Sequence, residues 1–428
     1  MLQVQDLSLE KDILPLFDYT ISDHAAEVLR QTMLKVPDTL EEVYYRQSIL
    51  QGFISNWAAI GDFSYQRLDV REVYTFLDDV ATRRLVVEQN RLKATLKLYT
   101  SEEERYRLRA KAVQTVLLFH RLQTNYFSRL DLSAFPEKFQ QQVKAISAFL
   151  QKLQLTANAY LIRENKFSVS ALVKFSKVLA GLRVTEVHTF WESFSLFEAF
   201  WSMAKGVERH QLCFPVFSEG DFAMEDFYHP VLENPVKNSL YLHPQENVVL
   251  LTGPNMSGKS TLLRSVGLCV YLAHTGLGVP ASRCELPFFD TIAIIINAND
   301  NLRSGYSHFM SEIQNLKAVV LEANAGKKCF AVFDEIFRGT NIDDALDITR
   351  TTVNGLTKYH NSYFFISTHL LQLKDNLVPD GIRKYNIACE LEHGYPRFSY
   401  RLQEGWSDLK IGKILFEKEG LGQLLTEQ

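Results

Sequence analysis

Gly253-Pro254-Asn255-Met256-Ser257-Gly258-Lys259-Ser260 satisfies G-x-x-x-x-G-K-[ST] at every fixed position. The glycines let the backbone fold tightly enough to aim successive N–H groups at one anion, and a helix N-terminus adds partial positive charge. In such a loop Lys259 reaches the β- and γ-phosphates of a nucleoside triphosphate, and the Ser260 hydroxyl ligands Mg2+. A glycine-rich turn can match this pattern by chance, but the flanks argue otherwise. Val248–Thr252 is an aliphatic run suited to a buried central strand, and Thr261 to about His274 has the period of the helix such a loop opens.

Three further stretches fit the same chemistry. Cys329–Phe333 is apolar and ends in Asp334-Glu335; Asp334 suits Mg2+, directly or through water, and Glu335 suits polarisation of the attacking water. Acids at a strand end are often mere turn formers, and it is the phosphate loop about 75 residues earlier that favours the catalytic reading. His369, in Ser367-Thr368-His369 after the apolar Tyr363–Ile366, would be a satisfied loop histidine on its own. Beside the other elements it becomes a γ-phosphate sensor. Finally, Ser304-Gly305-Tyr306-Ser307 leads into a helix near 308–324, so its small and hydroxylated residues suit a second phosphate-binding helix start. One chain already cradles its nucleotide with 253–260. This second start would serve the nucleotide of a facing subunit, which makes the protein a homodimer.

The elements positioning these residues alternate from about residue 206: strand 248–252, helix to 274, strand 291–297, helix near 308–324, strand 329–334, helix near 342–358, strand 363–367. Shorter strands at 385–392 and 397–403 and a last helix from Ile411 follow. Such alternation makes a mostly parallel sheet with helices on both faces. Residues 1–205 read instead as helical throughout, with prolines only at 15, 37 and 136. Thr39 before Glu41-Glu42, and Ser101 before three glutamates, look like helix starts. The division falls at 1–205 and 206–428.

Composition sets the outer limits. With 428 residues, 46% hydrophobic and 22% charged, the chain is globular and long enough for two or three cores. A net charge of −4 advertises no polyanion partner globally. Locally, Arg83–Arg129 carries eleven Lys or Arg against four Asp or Glu, a patch that could meet DNA phosphates through residues such as Arg105, Arg107, Arg109 and Lys111. Solvated helix faces explain it equally well. Five scattered cysteines without C-x-x-C spacing suit free thiols in a reducing cytoplasm. The first twelve residues lack the pattern of a secretion signal, and no uncharged apolar run approaches a bilayer span.

The residues 252–261 (TGPNMSGKST), 304–312 (S-G-x-S-x-F-M-x-E), 334–340 (DEIFRGT) and 367–369 (STH) together resemble the MutS family of DNA mismatch repair ATPases. His229-Pro230-Val231 and Leu402-Gln403-Glu404-Gly405 are similar as well, so the likeness covers about residues 206–420, and residues 1–205 resemble the family's helical lever domain more weakly. The resemblance implies an α/β P-loop ATPase of ABC type with a mostly parallel sheet, preceded by an all-α lever domain, binding ATP and Mg2+ as a dimer. It also implies that Gly253 to Thr261 enclose the phosphates, with Asn255 close to the γ-phosphate. By the same resemblance Ser304, Gly305 and Ser307 reach the partner's nucleotide, Asp343 lies in a segment crossing the dimer interface, and Tyr400 stacks on adenine. A second stacking aromatic is usual in the family where this chain has Pro235 or Val236. The family's mismatch-reading and connector domains, and its DNA-binding tail, are not expected here. The resulting expectation is an ATP-hydrolysing protein acting on double-stranded or branched DNA in mismatch repair or recombination. The competing one is an ATP-switched regulatory module that binds a protein and never DNA. The ATPase subunit of a membrane transporter would share the architecture, but the long helical N-terminus and TGPNMSGKST argue against it.

Overall fold

A computed structural model describes residues 2–88, 90–296, 308–337, 340–375, 377, 380–392, 395–407, 414, 416 and 418–426. The chain divides into two compact units, one comprising Met1–Ile13, Val36–Val43 and His210–Gln428, the other Leu14–Lys35 and Tyr44–Arg209.

Among the described residues, the first unit holds a seven-stranded sheet ordered β1-β7-β8-β9-β5-β10-β11. Its strands are β1 (Leu2–Gln3), β5 (Val248–Thr252), β7 (Thr291–Ile295), β8 (Cys329–Phe333), β9 (Tyr363–Ser367), β10 (Ile382–Glu392) and β11 (Tyr395–Glu404). All pairings are parallel except the β10–β11 hairpin. Every residue of β5, β7, β8 and β9 is buried, which is why these strands read as continuous apolar runs rather than alternating ones. A second sheet orders β2 (Val216–Phe217), β6 (Arg283–Leu286), β3 (Phe222–Phe227) and β4 (Asn238–Leu242) as β2-β6-β3-β4. Helix α11 (Lys259–Thr275) buries fourteen of its seventeen residues, as a helix enclosed on nearly all sides must. At Gly267 it comes so close to β7 that a Cβ would meet the Ile294 side chain at 2.9 Å, so a larger residue requires Ile294 to shift. Helices α12 (His308–Asn324) and α13 (Ile342–Leu356) complete the layers, with Val319 and Val353 buried in the same core as Val248, Ala331 and Phe364.

The helical unit contains α1 (Asp23–Leu34), α2 (Leu40–Ser55, which begins in the other unit), α3 (Trp57–Ile60), α4 (Arg67–Ala81), α5 (Arg91–Thr100), α6 (Glu102–Asn125), α7 (Glu137–Lys152), α8 (Leu155–Arg163), α9 (Val169–Ala180) and α10 (Val184–Arg209). Both sequence-read caps are made: Thr39 Oγ1 accepts from the Glu42 N–H at 3.3 Å and Ser101 Oγ from the Glu104 N–H at 3.4 Å. Helix α10 is the axis of this unit. Its Phe194, Phe197 and Trp201 meet Phe63 edge-on or tilted, with centroids 5.2–6.3 Å apart, contacts worth about 0.5–1.5 kcal/mol each beyond area burial. Glu198, fully buried on the same helix, accepts from the Tyr65 hydroxyl, from the Ile21 and Ser22 N–H groups and from Ser22 Oγ. A buried carboxylate is tolerable only with partners of this kind.

The structure corrects the expectation of unbroken helix from residue 1. Leu2–Gln3 is the edge strand β1, paired with Ile292 and Ala293 of β7, and Asp6 Oδ2 accepts from the Ile296 N–H at 2.7 Å. Two residues cannot display a period, and their partners lie 290 residues away. The 1–205 and 206–428 division differs accordingly, since segments 1–13 and 36–43 join the sheet-bearing unit and the later boundary falls at Arg209/His210. The final helix expected from Ile411 begins outside the described residues, and the helix described there is α14 (Leu421–Thr426).

Candidate functional site

A cavity of about 570 Å³ lies at the carboxyl ends of β5 and β8, walled by the loop after each strand. On the β5 side, the chain turns through Met256 and Gly258, both at positive φ (69° and 96°), before α11 begins at Lys259. Gly258 must be glycine twice over: its φ is left-handed, and a Cβ there would meet the Tyr400 ring at 3.1 Å. Asn255, Lys259, Ser260 and Thr261 line the cavity. Lys259 is only 5% exposed. Its ammonium donates to the carbonyls of Gly253 (2.9 Å) and Pro254 (3.2 Å) and stands 3.7 Å from Glu335 Oε1, so the buried charge is paired. Among the described residues Ser257 Oγ is buried with no hydrogen-bond partner, an orphan hydroxyl in a loop whose pattern is that of an anion cradle.

On the β8 side, Asp334 and Glu335 line the same cavity. Glu335 and Phe337 both have left-handed backbones (φ 50° and 65°), a strained turn costing about 1–3 kcal/mol per residue. Two acceptors hold it. Ser367 Oγ accepts the Glu335 N–H at 2.8 Å while donating to Asp334 Oδ1, and Glu312 Oε2 accepts the Phe337 N–H at 2.9 Å. Glu312, from α12, also faces the cavity. The sequence assigned no role to Glu312 and treated Ser367 only as part of a motif; their positions on α12 and at the end of β9 become meaningful once the strands are ordered.

Lys259, Ser260, Asp334 and Glu335 are thus brought together, and His369 is not. It is exposed and does not line the cavity. After β9 the Thr368 N–H bonds the Leu251 carbonyl at 3.0 Å and the Leu370 N–H bonds Thr368 Oγ1 at 3.1 Å, which buries residues 368 and 370 and leaves 369 outside. Ser304, Gly305 and Ser307 lie outside the described residues, as do Arg338 and Gly339 of the 334–340 match.

Tyr400 lines this cavity and a second of about 340 Å³ that shares Gly258 and Thr261 with the first. The second contains Val236, one of the two positions where the family usually has an aromatic, but also Tyr228 and His229. Burial, then nearby Arg264, pulls the His229 pKa below its ordinary value, which favours neutral imidazole. Asn238 fixes Tyr400 in place: its amide donates to the Tyr400 carbonyl at 3.1 Å and accepts from the Leu402 N–H at 2.8 Å. Tyr400 needs such support at φ 56°. Asp343 sits in the first turn of α13.

The four basic residues on α6 do not share a face. Steps of two residues turn about 200° around a helix. Arg105 bonds the Leu98 carbonyl at 3.3 Å and approaches Glu102 at 3.3 Å, while Arg109 stands over the Phe167 ring at 6.0 Å. Lys111 pairs with Glu72 at 3.0 Å, and exposed Arg107 shares its side of the helix. Among the described residues no group of three or more His, Cys, Asp or Glu could hold a metal by itself, all five cysteines are free, and no helix is long and apolar enough to cross a membrane.

Residues 249–422 match the family model of MutS domain V, the ATPase domain of that family. The chain is 30% identical over 341 residues to a DNA mismatch repair protein MutS of Pelotomaculum thermopropionicum, covering 76% of this chain and 39% of that protein. It is 34% identical over 221 residues to the DNA mismatch repair protein MutS of Bacillus cereus, covering 49% of this chain and 24% of that protein. The chain thus spans about two-fifths or less of the length of these relatives. Through residues 249–422 and these relatives, the chain belongs to the MutS family.

Proposed function

We propose that this chain is an ATPase of the MutS class, in which ATP binding closes a homodimer and shifts a helical arm in DNA mismatch repair or recombination-related metabolism. The observation that carries this is the gathering of Lys259, Ser260, Asp334 and Glu335 around one cavity at the ends of β5 and β8. In this reading the N–H groups of 253–261 and the Lys259 ammonium hold the triphosphate, and Tyr400 stacks on the base beside Tyr228 and His229. The residues fit Mg2+: Ser260 offers a hydroxyl and Asp334 a carboxylate, hard oxygen donors that need phosphate oxygens and water to complete a shell. When bound, the ion neutralises charge developing on the phosphate oxygens. Glu335 accepts a hydrogen bond from the attacking water and so orients and polarises it. His369 is left without an assigned step, since it stands outside the cavity in this conformation. Ser304, Gly305 and Ser307 act on the partner's nucleotide.

Two substitutions test the reading. Lys259→Ala is expected to abolish ATP binding, measured by equilibrium titration. Glu335→Gln is expected to bind ATP normally but turn it over at least 100-fold more slowly, and unchanged turnover would remove Glu335 from its role.

A second reading, an ATP-switched module that binds a protein and not DNA, is favoured by the −4 net charge and by the intramolecular partners of Arg105, Arg109 and Lys111. Mobility shifts with mismatched, branched and homoduplex DNA over a salt series, with and without ATP, separate the two. A steep salt slope modulated by ATP supports DNA as the partner.

A further inference from the structure

The helical unit has a cavity of its own, about 520 Å³, between α4, α5 and α6 and the segment joining α4 to α5, within the size range of small-molecule sites. Its floor is apolar. Phe76, Ala94 and Leu98 are buried there, and the consecutive Leu85, Val86 and Val87 border it with Val86 75% exposed. Three apolar residues in a row left partly in water are an unusual outlay for a connecting segment with nothing to cover.

The rim is charged, and most of its charges cancel in pairs. Lys111 bonds Glu72 at 3.0 Å, Lys97 bonds Glu104 at 2.9 Å, and Arg84 lies 3.6 Å from Asp79. The fourth acid, Glu88, is turned to its own backbone, accepting from the Asn90 N–H at 2.9 Å. Two further guanidiniums, Arg71 on α4 and Arg107 on α6, border the cavity and are exposed; Lys111 lowers the Glu72 carboxyl and Arg67 the Asp23 carboxyl, and Arg71 adds to both electrostatically. Planar guanidinium groups suit the forked oxygens of a carboxylate or phosphate.

We propose that this cavity binds a small anionic amphiphile, one carboxylate or phosphate head held by Arg71 and Arg107 with its hydrocarbon or aromatic body on the Phe76–Leu98 floor. The site is separate from the nucleotide cavity and does not depend on the function proposed for it. The probe is 8-anilinonaphthalene-1-sulfonate, titrated into the full chain by fluorescence, with laurate, dodecyl phosphate and uncharged dodecanol as competitors below their aggregation concentrations. One saturable site is expected, displaced by laurate or dodecyl phosphate at least tenfold better than by dodecanol, and unaffected by ATP or by Lys259→Ala. The relative strength of laurate and dodecyl phosphate tells which head the arginines prefer. Arg71→Gln/Arg107→Gln is expected to weaken the probe at least tenfold, with an unchanged circular dichroism spectrum and with partial recovery in Arg71→Lys/Arg107→Lys. Absence of a saturable site, equal displacement by dodecanol, displacement by ATP or by duplex DNA, or full affinity in the folded glutamine variant would each overturn the proposal.

Discussion

Ser367 links the two acids of the site through one hydroxyl, taking the Glu335 N–H and giving its proton to Asp334. Because it touches neither phosphate nor water in the proposed reaction, its contribution is orientation. Ser367→Ala is expected to lower kcat about tenfold or more, in the range of lost supporting hydrogen bonds, while ATP affinity changes little. A steady-state titration separating kcat from KM checks this, and an unchanged kcat would show that Asp334 and Glu335 hold themselves. His274 offers a test of stability instead. It is fully buried, Nδ1 bonded to the Val270 carbonyl at 2.8 Å and Nε2 accepting the Phe289 N–H at 2.8 Å. That pairing requires the neutral ring, and burial depresses its pKa from 6.5 to about 4. A depressed folded pKa means the unfolded imidazole takes its proton first, so this stability is present above pH 6.5 and is lost as pH falls through about 4. The loss is of the order of 3 kcal/mol. Urea unfolding between pH 7 and 4 should show the slope, and His274→Gln should flatten it.

Most elements of the sheet-bearing unit are legible because their cause is local. Full burial makes β5, β8 and β9 uniform apolar runs, and side-chain caps mark the starts of α2 and, in the helical unit, of α6. The loop after β5 and the acids after β8 are readable because phosphate chemistry restricts residue types at fixed spacing. What escaped has a non-local cause. The edge strand β1 exists only through β7, His369 is turned outward by bonds from its neighbours, and Asn238 matters only because β4 passes beside β11. The basic residues of α6 lie on two sides of the helix, Arg105 and Arg109 on one and Arg107 and Lys111 on the other, an arrangement that charge along the sequence does not display. The β1 edge also yields a prediction. Asp6→Ala removes the acceptor for the Ile296 N–H, a part-buried donor whose loss should cost about 1–3 kcal/mol. Faster amide exchange in β7, with β5 and β9 unaffected, is the expected readout.

At the scale of the molecule, the two units are composed differently in sequence. The helical unit is almost one continuous stretch, Leu14–Lys35 and Tyr44–Arg209, whereas the sheet-bearing unit gathers Met1–Ile13, Val36–Val43 and everything from His210 onward. Its first strand therefore closes against residues near 292–296. On the ribosome this sets an order. Residues 14–209 can acquire their core as they emerge, while Leu2 and Gln3 must wait for β7, about 290 residues further along the chain, since distant contacts form only after the intervening chain exists. A stalled nascent chain ending near residue 260 is expected to protect α10 from protease and leave residues 2–7 cleavable; protection of both would mean the opening segment finds an earlier shelter. Until β7 arrives, Leu2–Gln3 is an unclaimed strand.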